Sequence, residues 1–178
     1  MAPARWFRPK AEAQAGRDLY ASAASQARQP GFYTAIGAPD TVEGRFEMFS
    51  LHVALLLLRL KGQGKPAAEV AQQLFETYVR SLDDAHLAQG VGDVMVGKRM
   101  RKLGEAFYGR MRAYELALAQ RPDLTELQAL VARTVLEAAP EGRADALAAY
   151  ASEATDTLAA IVLDDLIAGR AAWPKAPA

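Results

Sequence analysis

The sequence predicts an all-α, single-domain protein: a helical bundle of about six helices with a structured loop between the first two. Apolar residues recur at helical spacing through most of the 178 residues. No stretch alternates as a strand would, and glycine and proline interrupt the helical pattern at only a few places. A chain of this length can bury one core, so we expect a single domain over residues 1–178.

The first part of the chain contains two predicted helices and the loop between them. The alanine-rich stretch Lys10–Gln29 predicts the first helix, which a proline and a glycine end. Gln29–Thr41 has no regular period but carries apolar side chains, so we predict a structured loop. Asp40, with a glutamate three residues later, predicts the N-cap of a second helix that reaches about Lys61. That helix is apolar on most sides, which predicts a central position.

Four more helices are predicted in the rest of the chain. The fourth helix of the chain, which follows Gly90 and Gly92, is strongly amphipathic. The third helix spans about Pro66–Gln89, and the fourth begins at about Val94. The fifth begins at Thr125 and ends before Pro140, and the sixth spans about Ala144–Ala168. The fifth and sixth are the C-terminal helices of residues 122–170. The tail Ala171–Ala178 contains two prolines and is predicted to be loose.

The charges balance overall, 21 Lys+Arg against 21 Asp+Glu, but are segregated along the chain. Six basic residues stand against one acid between Val96 and Arg112, and nine acids stand against two arginines from Asp123 to Gly169. Such segregation favours an oriented encounter with a partner. The basic helix admits three interpretations: a solvated face, a nucleic-acid contact, or a docking face for an acidic or membrane-proximal partner.

Composition excludes several kinds of site. With no cysteine and two histidines, the chain has no disulfide framework, thiol nucleophile or histidine-rich metal site. Asp83 and His86 are best interpreted as an exposed ion pair, and His52 as a buried imidazole bonded to a neighbour, with haem contact as its alternative. The G-x-x-x-x-G-K string from Gly92 lacks the hydroxyl and the buried strand of a nucleotide-binding loop. We predict no cofactor, no metal and no catalytic residue.

The second half of the basic helix has the composition of an interaction surface. Phe107 belongs to the core face of that helix, so Tyr108 should point elsewhere. Beside it, Gly109 leaves a bare position that another backbone could approach closely. The opposing hypothesis, an enzyme, would need a pocket that joins a histidine to carboxylates.

Seven separated strings, in order along the chain, resemble the ubiquinol-cytochrome c chaperone family. They are Ala27–Tyr33, Gly37–Thr41, Gly44–Glu47, Leu51–Val53, Gly90–Asp93, Val96–Met100 and Ala106–Arg110. The resemblance covers about residues 20–119, the signature region. It implies an all-helical, non-catalytic assembly chaperone that binds newly made cytochrome b and assists assembly of ubiquinol-cytochrome c reductase.

The resemblance also implies where partners bind, namely the loop Pro30–Arg45, the helix start Gly90–Met100, and Tyr108 with Arg110 later in the same helix. The predicted partner-binding residues are Phe32, Tyr33, Asp40, Arg45, Asp93, Lys98, Arg99, Lys102, Tyr108 and Arg110. The three basic side chains 98, 99 and 102 would steer the protein, and the aromatic side chains 32, 33 and 108 would grip a client.

The expected partners are cytochrome b as the client, a small helical co-chaperone, and an anionic membrane surface touched peripherally, with no DNA. The alternative function is an RNA- or ribosome-contacting helical protein that acts during membrane-protein synthesis. The apolar runs are too short to span a bilayer, and the long leader of mitochondrial members is absent. We therefore expect a bacterial-style cytoplasmic protein, peripheral to the inner membrane.

Overall fold

The structure, a computed structural model, describes residues 11–87, 96–137, 139 and 141–178, with the backbone alone over 82–87 and 96–103. The described residues form helices and no strand, which confirms the predicted all-α class. The helices are α1 (Ala11–Ala27), α2 (Gly31–Thr34), α3 (Val42–Leu60), α4 (Lys65–Leu87), α5 (Val96–Leu118), α6 (Thr125–Thr134), α7 (Ala144–Ala160) and α8 (Leu163–Ile167).

Helix α3 is the central element, as its apolar composition predicted. Every residue from 50 to 57 is buried, and α1, α4, α5 and α7 all pack against the helix. Its N-cap is Thr41, whose Oγ1 accepts a hydrogen bond from the Gly44 amide at 3.1 Å. The prediction of Asp40 as the cap is therefore wrong by one residue. Thr41 has the extended backbone that a cap requires, and the Asp40 carboxylate instead pairs with Arg45.

Helices α1 and α4 pack closely against each other because α1 carries a glycine at their crossing. A Cβ at Gly16 would lie 2.6 Å from Gln73 Cβ and 2.7 Å from the Leu74 amide nitrogen. No side chain fits in that space. The close contact between α1 and α4 therefore requires glycine at position 16, because its side chain is a single hydrogen atom. This contact fixes the position of α4.

The predicted loop 29–41 contains the short helix α2, whose Phe32 is fully buried. The predicted sixth helix is interrupted, because α7 ends at Ala160 and Ile161 is extended. The Arg59 guanidinium donates to the carbonyls of Leu158 and Ile161 at 2.9 and 3.1 Å. A side chain of α3 thus provides hydrogen-bond donors for carbonyl groups at the end of α7. The chain can therefore turn there before α8 begins.

The tail is packed against the body, so the prediction that it is loose is wrong. The Trp173 indole donates to Ser22 Oγ at 3.0 Å, and the Gln26 side-chain amide donates to the Pro174 carbonyl at the same distance. Pro177 reaches Gly31, where a Cβ would collide with the Pro177 carbonyl oxygen. Partial burial of the Trp173 indole and burial of Pro174 explain why a segment without helix is held.

Candidate docking surface

An apolar groove of about 320 Å³ lies between the end of α3, the first half of α4 and the middle of α5. Its apolar lining is contributed by Leu57, Leu60, Ala71, Phe75, Tyr108 and Met111. These residues lie along the buried stripes of the three helices, with Leu57 and Leu60 buried and Phe75 and Met111 partly buried. An accessible apolar concavity of this kind is suited to an apolar side chain or helix face of another molecule.

An exposed tyrosine forms the edge of this groove. Tyr108 is 50% exposed, and its ring centroid lies 5.0 Å from that of Phe75. Phe75 is 5.7 Å from Phe107, which is itself buried and packs on Tyr78 at 4.8 Å. The aromatic row therefore runs from the core to the surface, which gives Tyr108 a rigid support.

The sequence correctly placed Phe107 inside and Tyr108 outside, next to a bare position. A Cβ built at Gly109 would meet no atom within 4 Å, so the backbone of α5 is accessible there. A partner could approach α5 more closely at Gly109 than at any side chain-bearing position. The docking role assigned to Tyr108 remains a prediction.

Arg110 makes an ion pair within the protein. Its Nη1 donates to both carboxylate oxygens of Glu47 on α3, and the two side chains are 35% and 15% exposed. Burial raises the pKa of Glu47, and the nearby Arg110 charge only partly opposes that rise. Arg110 thus links α5 to α3, a contribution that the sequence did not predict.

Tyr33, Asp40 and Arg45 form a second surface. Arg45 is hydrogen-bonded to Asp40, which lowers the pKa of that carboxyl, and its guanidinium carbon lies 5.7 Å from the centre of the Tyr33 ring. The Tyr33 hydroxyl donates to the Ala27 carbonyl at 2.8 Å, and burial raises its pKa. Arg45 precedes Leu60 on α3 by about 20 Å of helix. Tyr33, Asp40 and Arg45 therefore lie at or near the start of α3, whereas the groove beside Tyr108 is lined by residues at the end of that helix.

The remaining predicted residues have different positions. Phe32 is fully buried, with its ring 4.8 Å from Tyr150 and 5.4 Å from His52, so the prediction that it grips a client is wrong. Its neighbours in the core leave it no surface to offer. Asp93 lies outside the described residues, as do the side chains of Lys98, Arg99, Lys102, Asp83 and His86.

A buried polar chain links three helices, and sequence reasoning found only its first member. The His52 Nδ1–H donates to the Met48 carbonyl at 2.8 Å, because a carbonyl can only accept. The other ring nitrogen accepts from the Tyr150 hydroxyl at 2.8 Å, and Gln26 donates to that hydroxyl at 3.0 Å. The prediction of a buried, bonded imidazole is confirmed. With both nitrogens engaged, neither is free to bind a haem iron in this arrangement.

Burial lowers the pKa of His52 to about 4, so its ring is neutral at pH 7. The described part of the chain contains no cluster of three or more histidine, aspartate or glutamate side chains that could bind a metal ion. Over the same residues, none of the helices combines the length and the apolar composition needed to cross a bilayer.

The fold defines a class, a compact all-helical protein, and its described surface carries an apolar groove that is open to solvent. The family model described as ubiquinol-cytochrome C chaperone matches residues 34–173. The chain therefore belongs to the ubiquinol-cytochrome c chaperone family, as its resemblance indicated. The match begins after the first of the seven strings and extends beyond the signature region through the C-terminal helices.

Two known proteins show how far the similarity extends. Ubiquinol-cytochrome-c reductase complex assembly factor 1 of Xenopus laevis is 24% identical over 84 residues, which are 47% of this chain and 42% of that protein. The match thus spans less than half of the Xenopus protein. The crystal structure of the Cbp3 homolog from Brucella abortus has a TM-score of 0.83 at 34% identity, with 94% of this chain and 92% of that chain covered. The fold of this chain is therefore shared by the Cbp3 homolog from Brucella abortus.

Proposed function

We propose that this chain is a chaperone for the assembly of ubiquinol-cytochrome c reductase and that its client is newly made cytochrome b. The observation that carries the proposal is the family match over residues 34–173. The relative from Xenopus laevis is described as an assembly factor of that complex, and the Brucella abortus structure extends the likeness to nearly the whole fold. The chain acts by recognition, through surfaces of the helical body.

The groove beside Tyr108 is the proposed client site. A membrane protein that is still unassembled exposes apolar helix faces, which need cover from water. The groove offers apolar walls with an aromatic edge, and Gly109 lets the client backbone approach. Tyr108 adds a hydroxyl at the rim, so its ring contacts the client while its polar end stays in water.

The basic start of α5 is the proposed steering region. Lys98, Arg99 and Lys102 occupy the first two turns of that helix. Each cationic side chain near an anionic membrane contributes about 1 kcal/mol, so the three together would add about 3 kcal/mol to a peripheral membrane contact. Under this proposal, a membrane contact at the start of α5 would bring the client groove on the same helix towards newly inserted cytochrome b.

The test is capture of cytochrome b by the tagged full-length chain in its native cells, with the haem b absorbance and the cytochrome b polypeptide both measured. Tyr108→Ala should reduce capture about fivefold or more, because the groove loses its aromatic edge. Leu116→Ala is the matched control. Leu116 lies on the same helix and is 52% exposed, but it does not line this groove.

Equal capture by the Tyr108 and Leu116 variants would contradict the groove as the client site. The proposed function itself would be contradicted if the unaltered chain captures no cytochrome b and cells that lack this chain contain a normal amount of assembled reductase. Salt-sensitive co-sedimentation with ribosomes in the absence of cytochrome b capture would favour the RNA- or ribosome-contact alternative.

A further inference from the structure

The last nine residues, 170–178, form a segment that we call the strap, which crosses α1, α2 and α3. Beyond Arg170 the strap makes no backbone–backbone hydrogen bond to the described residues. Side chains hold it instead, through its tryptophan and prolines. A segment anchored in this way can detach without breaking a helix or its hydrogen bonds.

The tryptophan of the strap occupies a slot that matches an indole in both shape and polarity. Trp173 Nε1 donates to Ser22 Oγ at 3.0 Å, and its ring meets the buried His52 ring edge-on at a centroid distance of 5.0 Å. His52 is fixed by its bonds to Met48 and Tyr150. The wall of the slot is therefore rigid whether or not an indole is present.

Two features beyond the indole slot recognise the backbone of a proline-containing segment. The Gln26 side-chain amide donates at 3.0 Å to the Pro174 carbonyl, next in sequence to the tryptophan. Gly31 provides the seat for Pro177, since any Cβ at position 31 would collide with the Pro177 carbonyl oxygen.

The prolines of the strap share one side. Pro174 is buried and Pro177 is partly buried, whereas Lys175 between them is exposed. The two prolines are three positions apart in the sequence, which is the repeat of a polyproline II helix. Proline-containing segments of this spacing dock into aromatic-lined grooves with little loss of conformational entropy. The strap thus contacts α1 and α2 as a bound peptide ligand would.

We propose that the slot formed by Ser22, Gln26, Gly31 and His52 is a peptide-binding site, and that the strap is its intramolecular occupant. When the strap leaves, an extended segment of another polypeptide with the pattern Trp-Pro-x-x-Pro takes its place. The strap then competes with that partner, so its release controls access to the slot. This site lies apart from the groove beside Tyr108, and its test is independent of cytochrome b.

The probe is a fluorescein-labelled peptide with the sequence of residues 170–178, titrated against the full-length chain by fluorescence anisotropy. The full-length Trp173→Ala variant should bind it at least tenfold more tightly than the unaltered chain, because its own strap no longer fills the slot. Adding Gly31→Ala to that variant should abolish the gain. Lys175→Ala, which changes an exposed side chain of the strap, is the matched control and should leave the affinity unchanged.

A folded Trp173→Ala variant, with a helical circular-dichroism spectrum and a cooperative melt, that gains no peptide affinity overturns the proposal. A labelled peptide with alanine in place of tryptophan that binds equally well also overturns it. Hydrogen exchange of the unaltered chain gives a second measurement if the variant does not fold. The indole N–H of Trp173, which donates to Ser22, supports release of the strap if it exchanges at least tenfold faster than global unfolding allows, and exchange only at the rate of global unfolding overturns it.

Discussion

At the scale of single residues, His52 is the clearest link between burial and chemistry. Its ring is fully enclosed, and hydrogen bonds use both of its nitrogens. Adding a proton would place an uncompensated charge in the core and would break the bond that Nε2 accepts from Tyr150. The native state therefore resists protonation of this residue much more strongly than the unfolded chain does.

This difference predicts a loss of stability in acid. The pKa of His52 is about 4 in the folded protein against 6.5 in a model peptide, so between those values the unfolded state binds more protons. The stabilisation is complete above pH 6.5 and declines as the pH falls to about 4, by about 3 kcal/mol. Urea unfolding at a series of pH values measures it, and His52→Gln should show a flatter profile, since the carboxylates titrate alike in both proteins. Parallel profiles would contradict the prediction.

The ion pair between Arg110 and Glu47 predicts an asymmetry between single and double substitutions. Arg110→Ala leaves the mostly buried Glu47 carboxylate without its partner, so the free energy of unfolding should fall by about 2 to 4 kcal/mol. Arg110→Ala combined with Glu47→Gln removes the stranded charge and should recover at least half of that loss. A double-mutant cycle by chemical denaturation measures the coupling, and purely additive losses would contradict it.

At the scale of elements, two glycines inside helices have opposite roles. Gly16 is at the crossing of α1 and α4, where a Cβ has no space, whereas Gly109 faces outward on α5 with no atom near it. Sequence alone treats the two alike, as residues that weaken a helix. The structure separates them, because only the first has a neighbouring helix in contact with its backbone.

The two glycine-to-alanine substitutions should therefore change stability in opposite directions. Gly16→Ala forces α1 and α4 apart and should lower the free energy of unfolding by about 1 to 3 kcal/mol. Gly109→Ala meets no obstacle and should raise it by about 0.5 to 1 kcal/mol through better helix propensity. Thermal and urea denaturation of both variants, side by side, measures the effect. The same sign in both would contradict the packing assigned to Gly16.

Most helices could be predicted from the sequence because their apolar period and their glycine and proline boundaries are local signals. The observed α1, α4 and α6 lie within or close to the predicted bounds. The break after Ala160 could not be predicted, since the group that satisfies the α7 carbonyls is Arg59, about a hundred residues earlier. The N-cap of α3 was misplaced for a related reason, because Asp40 is engaged by Arg45.

At the scale of the whole molecule, the segregated charge predicts a salt-dependent membrane contact. Lys98, Arg99 and Lys102 changed together to Glu should weaken binding to phosphatidylglycerol vesicles by about 3 kcal/mol or more, over a hundredfold in affinity. Co-sedimentation at about 0.05 and 0.5 M salt measures it, and binding of the unaltered chain should fall at the higher salt.

The control for this prediction changes the net charge equally, with Glu in place of Arg133, Arg143 and Arg170, which lie in or next to the acidic stretch from Asp123 to Gly169. It should leave vesicle binding nearly unchanged, because those arginines lie outside the basic start of α5. Equal losses in the two triple variants would show that total charge matters and the position of the basic residues does not.

Of the candidate site, the sequence indicated the outward Tyr108, the bare Gly109 and the inward Phe107, because their positions follow from the period of one helix. It could not indicate that Arg110 pairs with Glu47, that Phe32 is enclosed, or that the groove exists. Each of these depends on which helices meet, and contacts between residues far apart in the chain leave no local pattern.

The sequence by itself determined the helical class, the central place of α3 and the family, since apolar period and ordered motifs are properties of the chain read in one dimension. Only the tertiary structure decided that His52, Tyr150 and Gln26 form one polar chain and that the strap fills a slot beside them. The physical reason is that local patterns fix which face of an element is buried. The partner that buries it is chosen by packing in three dimensions.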